Sequence, residues 1–233
     1  MSTNRENNSL SASVIYDLTS FTHLDYPDHL SCIVWFSGCN MRCDYCYNKD
    51  IVFAKDGKFS YNDILNFLKT RINLLEAVVL SGGEATSYNL VPFCLKIKEL
   101  GFKIKLDTNG TNFLHVKELI ELNLLDYVAL DYKAPESKFT QITHSNKFDE
   151  FSKTLDFLID KNINFEARTT LHSDLLCEND INEIISDLTK RGYKKEYYIQ
   201  EFVETDSNIG DLKAPKNKFD KSLLQSDLKI VFR

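Results

Sequence analysis

Three cysteines stand close together in the stretch Gly38-Cys39-Asn40-Met41-Arg42-Cys43-Asp44-Tyr45-Cys46, a CxxxCxxC spacing directly after the apolar run Ile33-Val34-Trp35-Phe36. Three thiolates can hold three irons of a cubic [4Fe-4S] cluster, whereas a cluster held by protein alone needs four. The fourth iron is then open, and an open metal position is where chemistry happens. The competing reading is a zinc site completed by His23 or His29. Structural zinc usually draws on two separated pairs of close ligands, and no second pair exists in this chain. The spacing therefore points to iron and sulfur.

Other residues gain meaning from that loop. Gly82-Gly83-Glu84 follows a short apolar run and lets the backbone approach a polar ligand head closely, with Glu84 able to pair with an ammonium group. On its own a glycine pair is a plain turn. Asp107-Thr108-Asn109-Gly110 also reads as a turn, because Asp, Asn and Gly favour turns for backbone reasons. Leu130-Asp131-Tyr132-Lys133 ends the next run and by itself reads as a solvated charge pair. Glu166 and Arg168 lie inside a later apolar run, where a charge requires a partner. Together Asp107, Asp131, Lys133 and Arg168 gather charge near the ends of successive strand-length runs.

Those runs are Cys32–Ser37, Ala77–Leu80, Lys103–Leu106, Tyr127–Leu130, Phe165–Thr170 and Tyr197–Phe202. Helical stripes lie between them: Tyr61, Ile64, Leu65 and Leu68 behind a capping box of Ser60 and Asp63; Val116, Leu119 and Ile120; Phe148, Phe151, Leu155 and Leu158; and Ile181, Ile184, Ile185 and Leu188, with Asn179 and Asp180 as cap candidates and an end near Gly192. Tyr88–Leu100 is ambiguous because Pro92 falls in its first turns. Strand–helix alternation predicts an α/β fold with parallel strands and right-handed crossovers. About six units are too few for a closed eight-unit barrel of roughly 250 residues, so a partial (β/α)6 TIM-like barrel is expected, with a flat doubly wound sheet as its rival. The tail from Asn217 to Arg233 adds a small helix and a last strand, Leu228–Phe232. Residues 1–13 are expected to be disordered, and residues 14–233 to form one domain.

The bulk composition sets limits. A chain of 233 residues with 43% apolar and 27% charged residues is ordinary globular material. A net charge of −6 argues against broad nucleic-acid binding. No run approaches the roughly 18 apolar residues of a spanning helix, and the polar start has no signal core. Cys32, Cys94 and Cys177 are scattered singly and read as small core residues. A reducing, cytoplasmic location without membrane contact is expected.

The cysteine spacing with Gly82-Gly83-Glu84 resembles the radical S-adenosylmethionine (SAM) enzymes, and the order of elements matches from about Ser20 to Phe202. Within them the chain is similar to the glycyl-radical-enzyme activases, most of all to the activating protein of anaerobic ribonucleoside-triphosphate reductase. The residues that carry this likeness are Phe21-Thr22-His23-Leu24-Asp25-Tyr26-Pro27, Lys105 to Gly110 and Asp126 to Pro135. The resemblance implies a [4Fe-4S] cluster on Cys39, Cys43 and Cys46, with SAM on the open iron. It implies Tyr45 near the adenine, the amino end of SAM on Gly82, Gly83 and Glu84, and Lys133 and Arg168 facing its carboxylate or ribose. Asp107, Thr108, the Leu130 carbonyl and Asp131 match a monovalent-cation site of related activases, where hard oxygens suit an alkali ion. Asp107 and Thr108 thereby also border SAM. No catalytic side chain is implied beyond cluster and cofactor. The implied partners are the anaerobic ribonucleotide reductase and an electron donor such as flavodoxin or ferredoxin.

The chain departs from the activase pattern at Tyr47, where the family has His; at Ala85, where it has Pro; and at Asp28, where it has Gly. A second resemblance, to small-molecule radical SAM enzymes of the 7-carboxy-7-deazaguanine synthase type, is weaker. Their cysteine loop usually ends in Trp-Cys-Asp-Thr, and here it reads Tyr45-Cys46-Tyr47-Asn48. A non-catalytic zinc or cluster-binding scaffold is the reading from another class.

Overall fold

A computed structural model describes residues 10–205 and 207–233. Most of the segment expected to be disordered, residues 1–9, lies outside the described residues, and Ser13 already belongs to a strand. The chain gathers into two compact units. Among the described residues, the first comprises 10–40, 50–108 and 114–128, and the second 41–49, 109–113, 129–205 and 207–233.

In the first unit, strands β1 (Ser13–Thr22), β2 (Ser31–Phe36), β3 (Phe59–Ser60), β4 (Ala77–Gly82) and β5 (Lys103–Thr108) lie in the order β3-β1-β2-β4-β5. β1 runs antiparallel to β2 and to β3, while β2, β4 and β5 are parallel. The antiparallel edge formed by β1 and β3 was not anticipated. β1 is half-exposed along its length and carries little of the continuous apolar character of a strand buried on both faces. The parallel strands do carry it: Cys32, Val34, Phe36, Val78, Leu80, Ile104 and Leu106 are wholly buried.

Helices α1 (Lys49–Phe53), α2 (Tyr61–Lys69), α3 (Val91–Glu99) and α4 (Phe113–Glu121) accompany these strands, α1 and α4 each beginning with a residue of the second unit. α2 starts as expected. The Ser60 side chain accepts from the Asp63 amide, and Asp63 accepts from the Ser60 amide at 2.7 Å. Pro92 proves compatible with α3 because it falls in the first helical positions, where no intrahelical amide bond is lost. Tyr61 packs on Phe93 with ring centroids 4.5 Å apart, joining two helices in one core.

Strand β6 (Tyr127–Asp131) begins in the first unit and ends in the second. In the second unit β7 (Phe165–Leu171), β8 (Tyr197–Glu201) and β9 (Ile230–Phe232) are parallel neighbours. The anticipated tail strand is therefore real, though shorter, and a single 3-10 turn at Lys221–Leu223 precedes it. Helices α5 (Glu136–Thr143), α6 (Phe148–Asp160) and α7 (Glu178–Lys190) complete this unit. Its core is aromatic: Tyr132 meets Phe151 edge-on at 4.6 Å, and Phe139 meets Phe148 at 5.2 Å.

Two details differ from expectation. The cap of α7 is Cys177 rather than Asn179 or Asp180; Asp180 sits three residues inside, accepting the Cys177 amide at 2.7 Å and Lys138 Nζ at 2.7 Å. Cys177 is consequently exposed at a helix start and is not a core residue, whereas Cys32 and Cys94 are buried, with burial pushing each thiol up to about 12. Thiols held so far from ionisation are poor ligands and poor nucleophiles.

Candidate functional site

The geometry around the cysteine loop explains why its flanking glycines are glycines. Cys39 follows β2 by three residues. The turn after β4 returns to the same point: Gly83 N donates to Phe36 O at 2.9 Å, and Glu84 N donates to Gly38 O at 2.9 Å. A Cβ on Gly83 would lie 1.7 Å from the Gly38 carbonyl oxygen, and one on Gly82 would lie 2.4 Å from Phe36 N at a backbone φ of +111°. Both glycines therefore allow the β4 turn to lie against the backbone that leads into Cys39.

Glu84 is buried inside this turn. Its Oε1 accepts from Thr86 N at 3.2 Å, from Thr86 Oγ1 at 2.6 Å and from Thr108 Oγ1 at 2.8 Å. The carboxylate thus ties the end of β4 to the end of β5. Beside it, on the opposite face of β5, Asp107 accepts from Lys105 Nζ at 2.7 Å and from Ser81 Oγ at 3.1 Å. Lys105 is 3% exposed. Sequence reasoning passed over it, although a lysine flanked by Ile104 and Leu106 in a buried parallel strand is itself a signal that a carboxylate must be near.

Cys43 and Cys46 lie in the second unit, on a segment held by backbone bonds from two directions. Arg42 N donates to Thr143 O at 2.9 Å and Asp44 N to Ile142 O at 3.1 Å, at the end of α5. From the other side Ile209 N donates to Cys46 O at 3.0 Å and Gly210 N to Asp44 O at 2.8 Å. Cys46 N donates to Cys43 O at 2.9 Å, closing a tight turn between the two thiols. Tyr45, between them, is buried and sends its hydroxyl to the Lys133 carbonyl at 3.3 Å, with Lys133 Nζ 5.9 Å from its ring centroid.

After β6, Asp131 holds two cations: Lys133 Nζ donates to Oδ2 at 2.9 Å and Arg168 Nε to Oδ1 at 2.5 Å. Burial opposes the Asp131 charge, but Arg168 and then Lys133 outweigh it and hold its carboxyl at about 2. Burial likewise opposes the Lys133 charge, and Asp131 with the Cys43 and Cys46 thiols raises it instead. With 19% of each side chain exposed, the Asp131–Lys133 pair is a partly buried ion pair, not the solvated one that the strand-end pattern favours. Leu130 is wholly buried in β6. Asn109 and Gly110 form the expected turn, with Thr111 N donating to Asn109 Oδ1 at 3.1 Å and Gly110 at φ +72°.

Among the described residues, no three His, Cys, Asp or Glu side chains are already gathered as a metal-holding group. The donor chemistry nevertheless fits a cluster: three thiols on a loop whose backbone is fixed by its neighbours. His144 lies beside that loop, but its Nε2 is engaged by Asp44 Oδ1 at 2.8 Å. His29 is engaged at the opposite end of β2 from Cys39, its Nδ1 2.7 Å from Pro27 O and its Nε2 2.6 Å from Lys103 Nζ. A six-residue strand is about 20 Å long, which removes His29 as a fourth zinc ligand.

Residues 33–189 match the radical SAM superfamily. The chain belongs to that superfamily. Membership implies SAM and an iron–sulfur cluster, and the α/β fold with parallel strands is that of its partial (β/α)6 type. This radical SAM chain is 30% identical over 179 residues to a protein of Methanocaldococcus jannaschii that carries the provisional name of glycyl-radical enzyme activating enzyme, with 74% of each chain covered. It is 29% identical over 144 residues to the pyruvate formate-lyase-activating enzyme of Streptococcus mutans, covering 55% of this chain and 54% of that one. Among solved structures, Streptococcus suis SuiB bound to S-adenosylmethionine superposes with a TM-score of 0.66 at 16% identity, over 86% of this chain and 49% of that one. The chain thus spans about half the length of SuiB, and that likeness concerns the fold alone.

Proposed function

We propose that this radical SAM enzyme is a glycyl-radical-enzyme activase whose target is the anaerobic ribonucleoside-triphosphate reductase. The observation that carries the activase reading is the 30% identity, over three quarters of both chains, to the archaeal protein named as such an activating enzyme. A [4Fe-4S] cluster and SAM, when bound, supply one-electron cleavage of the C5′–S bond to methionine and a 5′-deoxyadenosyl radical, which takes a hydrogen atom from the substrate. In this reading the chain's own residues orient those groups. Cys39, Cys43 and Cys46 hold the cluster. Gly82, Gly83 and Glu84 hold the amino end of SAM, the buried Glu84 also keeping that turn in place. Tyr45 borders the adenine, Asp107 and Thr108 border the same ligand, and Lys133 and Arg168 receive the carboxylate or ribose. The hydrogen donor is the Cα of one glycine in the reductase. Flavodoxin or ferredoxin supplies the electron, in the cytoplasm, and residues 14–233 act as one radical SAM domain.

Asp107, Thr108, the Leu130 carbonyl and Asp131 are further proposed as ligands of a monovalent cation. Their hard oxygens support it, and the ammonium of Lys105 on Asp107 competes with it. SAM affinity measured in lithium, sodium and potassium salts should differ; identical affinities would rule the cation out.

The test of the function is to reconstitute the cluster anaerobically, add reductant, SAM and the reductase, and record EPR spectra while quantifying 5′-deoxyadenosine. A glycyl-radical signal that needs both proteins is expected. Deoxyadenosine without that signal would refute the proposed target and move the substrate to a small molecule or another protein.

A further inference from the structure

Glu166 has no place in the assignments above, yet it is a carboxylate only 4% exposed within β7. Such a group is tolerated only with a cation beside it. Arg233 and Arg168 are both near. Arg233, which follows β9, places Nη2 at 2.6 Å from Glu166 Oε1 from 67 residues along the chain. Arg168 Nη1 lies 3.9 Å from the same oxygen, beyond hydrogen-bond length, while its Nε donates to Asp131 at 2.5 Å. Glu166 and Arg168 are two residues apart and share one face of β7. Arg168 thus lies near both Glu166 and Asp131 and is hydrogen-bonded to Asp131.

The strand order makes this arrangement. Arg168 pairs with Tyr198 in β8, and Tyr198 pairs with Val231 in β9. The Arg233 guanidinium lies 4.2 Å from the Tyr198 ring centroid, so the ring supports it while it reaches Glu166. Arg233 N also donates to Ile199 O at 3.0 Å, fixing its backbone against β8.

We propose that Arg233 is a positioning residue for the carboxylate end of the SAM site. By satisfying Glu166 it keeps that carboxylate from capturing Arg168, so that Arg168 stays on Asp131 beside Lys133. The inference rests on the reading that Arg168 and Lys133 receive SAM, and it commits them to the SAM carboxylate rather than its ribose. Without Arg233, the buried charge of Glu166 pulls on the Arg168 guanidinium 3.9 Å away, and the bond to Asp131 lengthens or breaks. The C-terminal strand is thereby coupled to cofactor recognition without touching the cofactor.

The test uses full-length, cluster-reconstituted protein and equilibrium binding of two probes: S-adenosylhomocysteine, which has the amino-acid carboxylate, and 5′-methylthioadenosine, which lacks it. Arg233→Ala should weaken S-adenosylhomocysteine by about tenfold, within the coupling range of one ion-pair network, and leave methylthioadenosine and iron content unchanged. Arg233→Lys should bind like wild type. Glu166→Gln/Arg233→Ala should recover most of the loss, because the amide no longer competes for Arg168; a merely structural role for Arg233 would weaken both probes and lower the iron content together. Wild-type affinity in Arg233→Ala, equal loss of both probes, or a double variant no better than the single one would each overturn the proposal. Failure of the underlying reading looks different: wild-type protein itself would then show no preference for the probe with the carboxylate.

Discussion

Replacing Gly83 by Ala should disturb the cysteine loop without removing a single ligand. The added Cβ would stand 1.7 Å from Gly38 O, 2.5 Å from Gly38 C and 3.2 Å from Cys39 N, all backbone atoms. A side-chain neighbour could rotate away; a peptide at the end of β2 cannot. The two backbones must separate by more than about 1 Å to reach ordinary contact in a close-packed interior. Overpacking of this kind costs about 1–3 kcal/mol. Separation also breaks the 2.9 Å bond from Glu84 N to Gly38 O, worth about 1 kcal/mol. A total of about 2–4 kcal/mol follows if the strands resist, and each kcal/mol lowers the midpoint of a chain this size by about 2–4 °C. If the loop yields instead, Cys39 moves and cluster assembly suffers. Thermal unfolding by circular dichroism reads the first outcome, and iron and sulfide per chain after anaerobic reconstitution read the second. Gly101→Ala is the control. Gly101 also has positive φ, +89°, but no atom lies within 4 Å of its added Cβ, so the change should cost about 1–2 kcal/mol of backbone strain and leave iron unaltered. A Gly83→Ala protein with wild-type midpoint and wild-type iron would refute the packing argument.

Two further expectations concern the second unit. Cys43→Ala should abolish the brown colour and most of the iron of anaerobically purified protein, and full retention of iron and sulfide would end the cluster assignment. Asp131, whose carboxyl is held at about 2, below the ordinary carboxylate range, binds fewer protons folded than unfolded as the pH falls toward that value. Its stabilising contribution is therefore complete above about pH 4 and is lost as the pH drops toward 2. Urea midpoints of wild type should fall through that window, and Asp131→Asn should show a shallower fall there and a lower midpoint at neutral pH. Parallel curves for the two proteins would remove Asp131 as the partner of Lys133 and Arg168.

Much of the architecture is legible in local patterns, because a strand buried on both faces must be continuously apolar and an amphipathic helix must repeat near every third or fourth residue. β2, β4, β5, β7 and β8 and helices α2, α6 and α7 lie close to where those patterns predict. β1 escapes notice because a half-exposed strand mixes polar and apolar residues without a clean period. The capping of α7 by Cys177 escapes notice because Asn179 and Asp180 look like better caps, and only the three-residue step to Asp180 identifies the true position.

The primary structure by itself determines the donor set of this protein: three thiols at a spacing that a single loop can present, and a glycine pair after a strand. Those signals are local, since loop chemistry and strand periodicity depend on neighbours a few residues away. Only the tertiary structure decides which charge meets which. Arg168 is assigned to Asp131 and Arg233 to Glu166 by the register and order of strands, because an ion pair between strands is selected by distance in space and burial, and neither is written in the spacing of charged residues along the chain. The same holds for Gly82 and Gly83: their pattern announces a turn, and only the fold shows that the turn closes onto the carbonyl before Cys39.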